Sequence, residues 1–417
     1  MRERLFFIFI KVSSEGSSLL LLPQPHCFRF KDGTNGHFYF FMKYCLMRRA
    51  SSNTIYRKNK YIYITYMKRL LERYFNFIKG FIPSEPQTTS IGLEITQNEC
   101  KMVEVKKSSN GFQVVRWAIE SLDENKPVNT IKAILPSDLT QASVHTAVNG
   151  KGTLIRYIEM PRMTVDELRN SFALESDKYF PFAQDQIYTD CYILDPTGKT
   201  KQMDVMAAAS TKDLIDNRLK LMNEAGVQTD FIGINSVALA NVINALGYEL
   251  QDAKPEMTYV LVDIGESVSN VTIMINKFPR FSRDIFIGGR DFIKRISNAF
   301  GKSSKEARAL CAEPSEKAKE IISACESIFL NMTQELRLSF DYFSTERNKE
   351  VDKIYLTGDY ALLPGIKQAL EEHLELKVEL WNPFNQLTYV PDISKEDIQK
   401  NAHRLTVALG LSLYNYD

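Results

Sequence analysis

The stretch Val262-Asp263-Ile264-Gly265-Glu266-Ser267-Val268-Ser269-Asn270 brings chemistry-bearing residues together at close spacing. It follows Thr258-Tyr259-Val260-Leu261, a β-branched and apolar run that reads as a buried strand. Val271-Thr272-Ile273-Met274-Ile275 reads as the strand that returns. A strand ending on an Asp, a Gly two residues later and a returning strand make a hairpin whose tip exposes backbone N–H groups. Such a tip can cradle a phosphate, with Asp263 beside it to hold a magnesium-bound water. The plainer reading is a hairpin with a turn glycine, and this stretch alone does not decide between the two.

Bulk properties exclude several other chemistries. The 417 residues carry a net charge of +1, which gives no nucleic-acid signal. Cys27, Cys45, Cys100, Cys191, Cys311 and Cys325 are scattered, with no CxxC and no Cys/His cluster at ligand spacing. Neither a structural zinc nor a disulfide framework is expected, and the pattern fits a reducing compartment. His145 lies in a strand-like run, 142–148, without a partner at catalytic or ligand spacing. No apolar run reaches the ~18 residues of a spanning helix. The length calls for two or more domains or subdomains.

The elements that would position the hairpin begin well inside the chain. Residues 1–66 are rich in aromatics, carry eleven Lys/Arg against three Asp/Glu, and hold no persistent period. They read as a basic leader foreign to the rest: either upstream translation, with Met67 the true start, or a basic arm for an anionic surface. Residues 67–88 read as an amphipathic helix and a linker. Leu70, Leu71, Tyr74, Phe75 and Ile78 fall near one face, which suits a membrane interface or docking on the chain's own domain. From residue 89 the pattern becomes orderly. Ile91–Ile95 and 101–105 read as a strand pair, followed by a third strand from Gly111 and then alternating helix and strand. Residues 152–233 read as a compact α+β block, with Thr164 and Glu167 at capping-box spacing. The hairpin at 258–275 then begins the same strand–turn–strand sequence again. After it, Phe281–Ile287 reads as a strand ending at Gly288-Gly289. A helical stretch at 314–343 is long enough to suggest a break, with Leu330, Leu336 and Phe340 as core positions. Two similar halves packed side by side would enclose a cleft with the two hairpin tips facing each other.

That arrangement is the actin-like one. From Ile91 onward the chain resembles the PilM family, actin-like cytoplasmic proteins of type IV pilus assembly related to the cell-division protein FtsA. The residues that carry the resemblance are the hairpin at 91–105, Arg156-Tyr157-Ile158-Glu159-Met160-Pro161-Arg162-Met163 and Lys178-Tyr179-Phe180-Pro181-Phe182. They continue with Val262-Asp263-Ile264-Gly265, Arg283-Asp284 with Gly288-Gly289, Leu356-Thr357-Gly358, Leu363-Pro364-Gly365, Asn382-Pro383-Phe384 and Ala408-Leu409-Gly410-Leu411. The resemblance implies an α/β, actin-like (ribonuclease H-like) duplicated fold with an extra α+β subdomain, its two halves flanking a central cleft. The first half would span 89–257, including the extra subdomain at about 152–233. The second would span 258–417, with the last helix packing back on the first.

It also implies ATP and magnesium in the cleft. Asp263 (also the metal-side residue) and Gly265 match the second phosphate loop, completed by Glu266 and Ser267, and Gly288 and Gly289 match the ribose-side turn. The first loop departs from the pattern. Glu94 stands for Asp, Thr96 for Gly and Gln97 for a hydroxyl residue. Arg308 and Cys311 fall where the pattern has Glu and Lys, and Asp359 replaces the second Gly after Gly358. A Cβ at Thr96 or Asp359 restricts positive φ or close approach. Two readings follow: ATP bound with altered contacts, or a degenerate pocket. Efficient hydrolysis is not expected in either. As partner, the resemblance implies the short cytoplasmic N-terminal peptide of a PilN-like inner-membrane protein, docked between the first subdomain and the extra one, with other pilus assembly proteins in the same machine and peripheral membrane association. An FtsA-type ATPase and a sugar- or acetate-kinase-like phosphotransferase are the alternatives. The kinase reading lacks a carboxylate base in the cleft beyond Asp263, and the chain ends at residue 417 without the membrane helix that closes FtsA-like proteins.

Overall fold

The computed structural model describes residues 89–414, apart from 110, 124, 197, 247–256 and 313–316. The leader at 1–66 and the amphipathic stretch at 67–82 lie outside the described residues. The first sheet begins with β1 (Thr89–Ile95), β2 (Glu99–Ser108) and β3 (Gly111–Ser121), an antiparallel meander. Helix α1 (Pro127–Ile134) leads to β4 (Ala142–Val148), which pairs parallel to β1. The chain then leaves this sheet for β5 (Thr153–Pro161), α2 (Val165–Glu175), β6 (Ile187–Ile193) and β7 (Gln202–Thr211). It returns through α3 (Lys212–Glu224) to β8 (Phe231–Ile234), parallel to β4, and α4 (Asn235–Leu246).

The second sheet repeats the plan. Strands β9 (Thr258–Ile264), β10 (Ser269–Ile275) and β11 (Phe278–Ile285) form its meander. Helices α5 (Gly289–Phe300), α6 (Ser304–Ala312) and α7 (Ala318–Arg347) precede β12 (Lys353–Thr357), α8 (Ile366–Leu374) and β13 (Lys377–Leu380). With a short β14 (Thr388–Tyr389) added at the end of the chain, the sheet orders are β14-β3-β2-β1-β4-β8 and β11-β10-β9-β12-β13. Without β14, each sheet is a three-stranded meander extended by two parallel strands, so the fold is the duplicated actin-like one. The central β9 is buried along its whole length, as a strand covered on both faces must be, and its sequence accordingly reads as a nearly continuous apolar run.

The chain ends by crossing back. After β14, which pairs with β3, helix α9 (Lys395–Asn401) leads to α10 (Thr406–Ser412), buried throughout. Helix α10 lies against β1 and α4 at two glycines. A Cβ at Gly92 would stand 1.9 Å from the Ala408 carbonyl oxygen, and one at Gly410 would stand 2.0 Å from that of Ala238. Here glycine serves backbone approach.

A third sheet, β5-β7-β6, is antiparallel and has its own core of Met160, Leu168, Phe172, Phe180, Ile187 and Met203 among others. Helix α2 covers it and begins with the capping box: the Thr164 amide donates to Glu167 Oε2 at 2.8 Å, and the Glu167 amide to Thr164 Oγ1 at 3.3 Å. This sheet is narrower than the 152–233 block, because β8 belongs to the first sheet. Asp204 on β7 fastens it to the second half through Arg280 at 2.5 Å and Arg347 at 3.3 Å, and Tyr157 meets Ser282 at 2.8 Å.

Helix α7 runs unbroken over its 30 residues. A buried stripe of Ile321, Cys325, Phe329, Met332, Leu336, Phe340 and Phe343 repeats at helical period and carries the helix through the expected break. Leu330 is 39% exposed, not core: it lies six positions from Leu336, which sets it about 120° around the helix from that buried residue.

Candidate functional site

Both hairpin turns point into one cleft. In the first, Glu94 pairs with Lys101 across β1 and β2, and the turn is closed by Thr96: its amide donates to the Glu99 carbonyl at 2.9 Å, and its Oγ1 accepts from the Glu99 amide at 3.1 Å. Thr96 is not among the described non-glycine residues with positive φ, which are Asn276, Asn348 and Glu375. The hydroxyl therefore shapes a turn that avoids the left-handed conformation a glycine would permit. In the second hairpin the Gly265 amide donates to the Val268 carbonyl at 3.1 Å, and a Cβ on Gly265 would stand 2.9 Å from that oxygen. The tips meet. Ser267 Oγ donates to Gln97 Oε1 at 3.1 Å and accepts from Arg290 at 2.5 Å. Gln97, which stands where the pattern has a hydroxyl residue, thus engages the opposite tip through its carbonyl oxygen.

Behind the tips lies a buried chain of charges. The Lys101 ammonium, 1% exposed, stands 3.4 Å from Glu94 Oε2 and 2.7 Å from Asp359 Oδ2. Asp359 Oδ1 accepts from Arg404 at 3.3 Å, and Arg404 donates to both Glu99 oxygens at 2.7 and 2.6 Å. Glu94, Lys101 and Glu99 come from the first sheet, Asp359 from the turn after β12, and Arg404 from the segment before α10. Burial alone would strip the Lys101 proton; Asp359 and Glu94 more than offset it, and the ammonium ends above the ordinary lysine range. One ammonium cannot neutralise Glu94, Asp263 and Asp359 together. Burial first, partly offset by Lys101, pushes Glu94 up to about 7. Burial first, then the neighbouring Glu94 charge, pushes Asp263 up to about 8.

The glycines of the second half are met by protein. A Cβ on Gly288 would stand 2.7 Å from the Glu266 carbonyl oxygen, and one on Gly289 would stand 2.0 Å from the Tyr360 ring. Gly358 has φ +99°, and its Cβ would stand 2.5 Å from the Ile264 nitrogen. Arg308 grips Glu266 with both terminal nitrogens, at 3.0 and 2.6 Å, and the Tyr360 hydroxyl reaches Glu266 at 2.5 Å and also contacts Arg308. Burial would raise Glu266, but the bonds from Arg308 and Tyr360 outweigh it and hold the carboxyl below its usual range. Cys311 is half-buried, its thiol pushed up to about 11 by burial, which leaves no thiolate at neutral pH. A cavity of about 1030 Å³ remains on this side, lined by Thr96, Asn98, Arg308, Tyr360, His403 and Arg404 among others.

The cleft thus brings together all the residues expected there. It adds four that the sequence did not single out: Lys101, Glu99, Tyr360 and Arg404. A lysine set between Cys100 and Met102 in β2, directly across from Glu94, was the available signal. As a seat for magnesium the set does not fit. Glu94 and Asp359 are engaged by an ammonium, and burial raises the Asp263 carboxyl well above its ordinary range. A metal needs carboxylates that are ionised and free to turn toward it. A triphosphate would have to part tips already bonded to each other.

A second concavity, about 470 Å³, opens where β5, β11 and α7 converge, with Ile234 and Ser236 beneath. Its apolar wall includes Leu154 and Phe281 with Phe286, Leu338 and Tyr342, the last three 54%, 58% and 55% exposed. Arg156 is exposed at its edge, and Lys151 lies 5.8 Å over the Phe286 ring. Only the β5 side falls in the 152–233 block; Leu338 and Tyr342 are hidden in sequence within a helix dominated by its buried stripe.

A family model described as type IV pilus assembly protein PilM matches residues 92–416. A solved PilM–PilN type IV pilus biogenesis complex superposes with a TM-score of 0.69 at 24% identity, covering 80% of this chain and 100% of that one. The ethanolamine utilization protein EutJ from Carboxydothermus hydrogenoformans follows at a TM-score of 0.46 and 12% identity, covering 80% and 92% of the two chains. MreB 5 of Spiroplasma citri bound to AMPPNP gives a TM-score of 0.44 at 10% identity, covering 79% and 97%.

Proposed function

The chain belongs to the PilM family of type IV pilus assembly proteins, and from that premise we propose that it is a cytoplasmic adaptor of a type IV pilus or related secretion machine. It captures the short N-terminal cytoplasmic peptide of a PilN-like inner-membrane protein and through it lies at the cytoplasmic face of that membrane, among other pilus assembly proteins. The solved relative is a PilM–PilN type IV pilus biogenesis complex. Among the described residues no helix is long and apolar enough to cross a membrane.

The observation that carries the reading is the groove at the β5 edge of the extra sheet, on its side toward β11 and α7 of the second half rather than between the first subdomain and the extra one as the resemblance implies. Three large, half-exposed apolar side chains line a concavity with cations at its rim, which suits an extended segment with alternating apolar anchors. The sheet edge β5 lies along it. Fluorescence anisotropy with a synthetic PilN-like N-terminal peptide tests this: saturable binding is expected, and Leu338→Asp weakens it by roughly tenfold or more if Leu338 is a central anchor. No binding at high peptide concentration would refute the adaptor reading.

The cleft is assigned no ATPase or phosphotransferase role. The tip-to-tip bond, the carboxyl surplus and the lack of a free carboxylate base support that assignment. Titration calorimetry with Mg-ATP is expected to give no tight, saturable heat. Tight binding would restore the reading in which ATP is held by altered contacts, with Asp263 on the magnesium.

A further inference from the structure

We propose that Lys101 is a built-in clamp cation, which with Asp359 and Arg404 holds the two halves of the molecule shut where an actin-like relative would use a magnesium nucleotide. The groups alternate in sign along one path: Glu94, Lys101, Asp359, Arg404, Glu99. The path crosses from the first sheet to the turn after β12, passes through the segment before α10 and returns to β2. Where this path crosses between the halves, at Lys101 to Asp359 and Arg404 to Glu99, the contact is charge-assisted and as short as 2.7 and 2.6 Å. The ammonium donates to a carboxylate of each half and is shielded from water, so its attraction is weakly screened.

The departures from the family pattern fit one another. Of the six substituted positions, Glu94 and Asp359 are the two that partner the Lys101 ammonium. Gly358 alongside keeps the turn close enough to the second hairpin for Asp359 to reach, its φ of +99° setting the backbone direction. The tips then close by a hydrogen bond between side chains, Ser267 to Gln97. The groove spans strands of both halves, so a clamp independent of ligand also keeps that groove formed. The clamp itself rests on the cleft alone and does not depend on the partner assignment.

Amide hydrogen exchange by mass spectrometry on the full chain tests it. In the wild type, exchange at the two tips, 95–98 and 264–268, and at the turn 357–361 is expected to be slow and equal in EDTA and in Mg-ATP. Lys101→Met and Asp359→Ala are each expected to speed exchange at both tips by on the order of tenfold or more, with no rescue by Mg-ATP. Strand β7, in the core of the extra sheet, serves as the internal reference. Asp359→Ala, at a less buried site, keeps the test decisive if Lys101→Met unfolds and its β7 amides also speed up. Added protection of both wild-type tips by Mg-ATP would overturn the proposal, as would unchanged tip exchange in Asp359→Ala.

Discussion

The two hairpins share strand order, direction and register, yet they have solved the same turn in different ways. The second, at Asp263-Ile264-Gly265, depends on absent side chains. Gly265, Gly288 and Gly358 let three backbone segments approach within a distance no Cβ would allow. The first, at Glu94-Ile95-Thr96, depends on side chains that are present: a hydroxyl closes the turn, and a lysine and a glutamate across the ladder supply charge. Topology set by buried strands is therefore compatible with two turn chemistries, and only the turn chemistry decides what the cleft can hold.

The largest break in that comparison is Lys101→Met. It leaves Glu94 and Asp359 without their shared counter-ion. Removing one partner of a buried pair costs about 3–5 kcal/mol, and proton uptake by Glu94 brings the expected loss to roughly 2–4 kcal/mol. Urea denaturation at pH 7 measures it. A loss below about 1 kcal/mol would mean the charge chain does not hold the halves together.

Next comes the contrast between glycine and non-glycine turns. Gly358→Ala must place a Cβ against the Ile264 backbone at positive φ, for an expected loss of roughly 1–3 kcal/mol. The reciprocal change, Thr96→Gly, gives up the hydroxyl bonds of a half-buried turn and should lose only about 1 kcal/mol. Equal losses at the two sites, read from the same denaturation curves, would erase the difference between the hairpins.

Much of the fold could be read from the sequence because its signals are local. The run Thr258–Ile264 is apolar enough to be a central strand, Thr164 and Glu167 are a capping box at its proper spacing, and the strand–turn–strand repeat announces the duplication. The chemistry of the cleft is non-local. Lys101 finds Asp359 258 positions away, and Arg404 finds Glu99 across 305. Read along the chain, Asp359 looks like a charge intruding where a base should approach. In three dimensions it is the middle of an ion chain. The groove was illegible for a related reason. Leu338 and Tyr342 lie on a helix whose buried stripe dominates its pattern, and an exposed leucine is unremarkable until β5 and β11 are brought beside it.

The charge chain also predicts a pH dependence of definite sign. Glu94 and Asp263 hold protons in the folded chain, up to about 7 and about 8, that they release near pH 4 when unfolded. Between those limits the folded state binds more protons, so this contribution to stability is complete below about pH 4 and is lost as pH rises toward 8. Glu94→Gln with Asp263→Asn removes the titration. The double variant should flatten the stability profile and be more stable than wild type at pH 8 by roughly 1–2 kcal/mol. A magnesium-dependent gain of wild-type stability at pH 8 would show instead that Asp263 ionises to take a metal.

The smallest effect belongs to the bond between the tips. Ser267 and Gln97 meet near the surface, where water competes for both groups, so each side chain cut to alanine should lose about 1 kcal/mol or less. The single losses carry little information, because Ser267 also receives Arg290. A double-mutant cycle separates the two: Ser267→Ala with Gln97→Ala isolates the pair, and a coupling near 0.5 kcal/mol is expected. Repeating the cycle in the Lys101→Met background sharpens it. If the buried charges hold the tips in register, the coupling vanishes once Lys101 is gone, since two exposed side chains cannot by themselves keep two sheets at hydrogen-bond distance. A coupling that survives would place the closure of the cleft in the turns themselves.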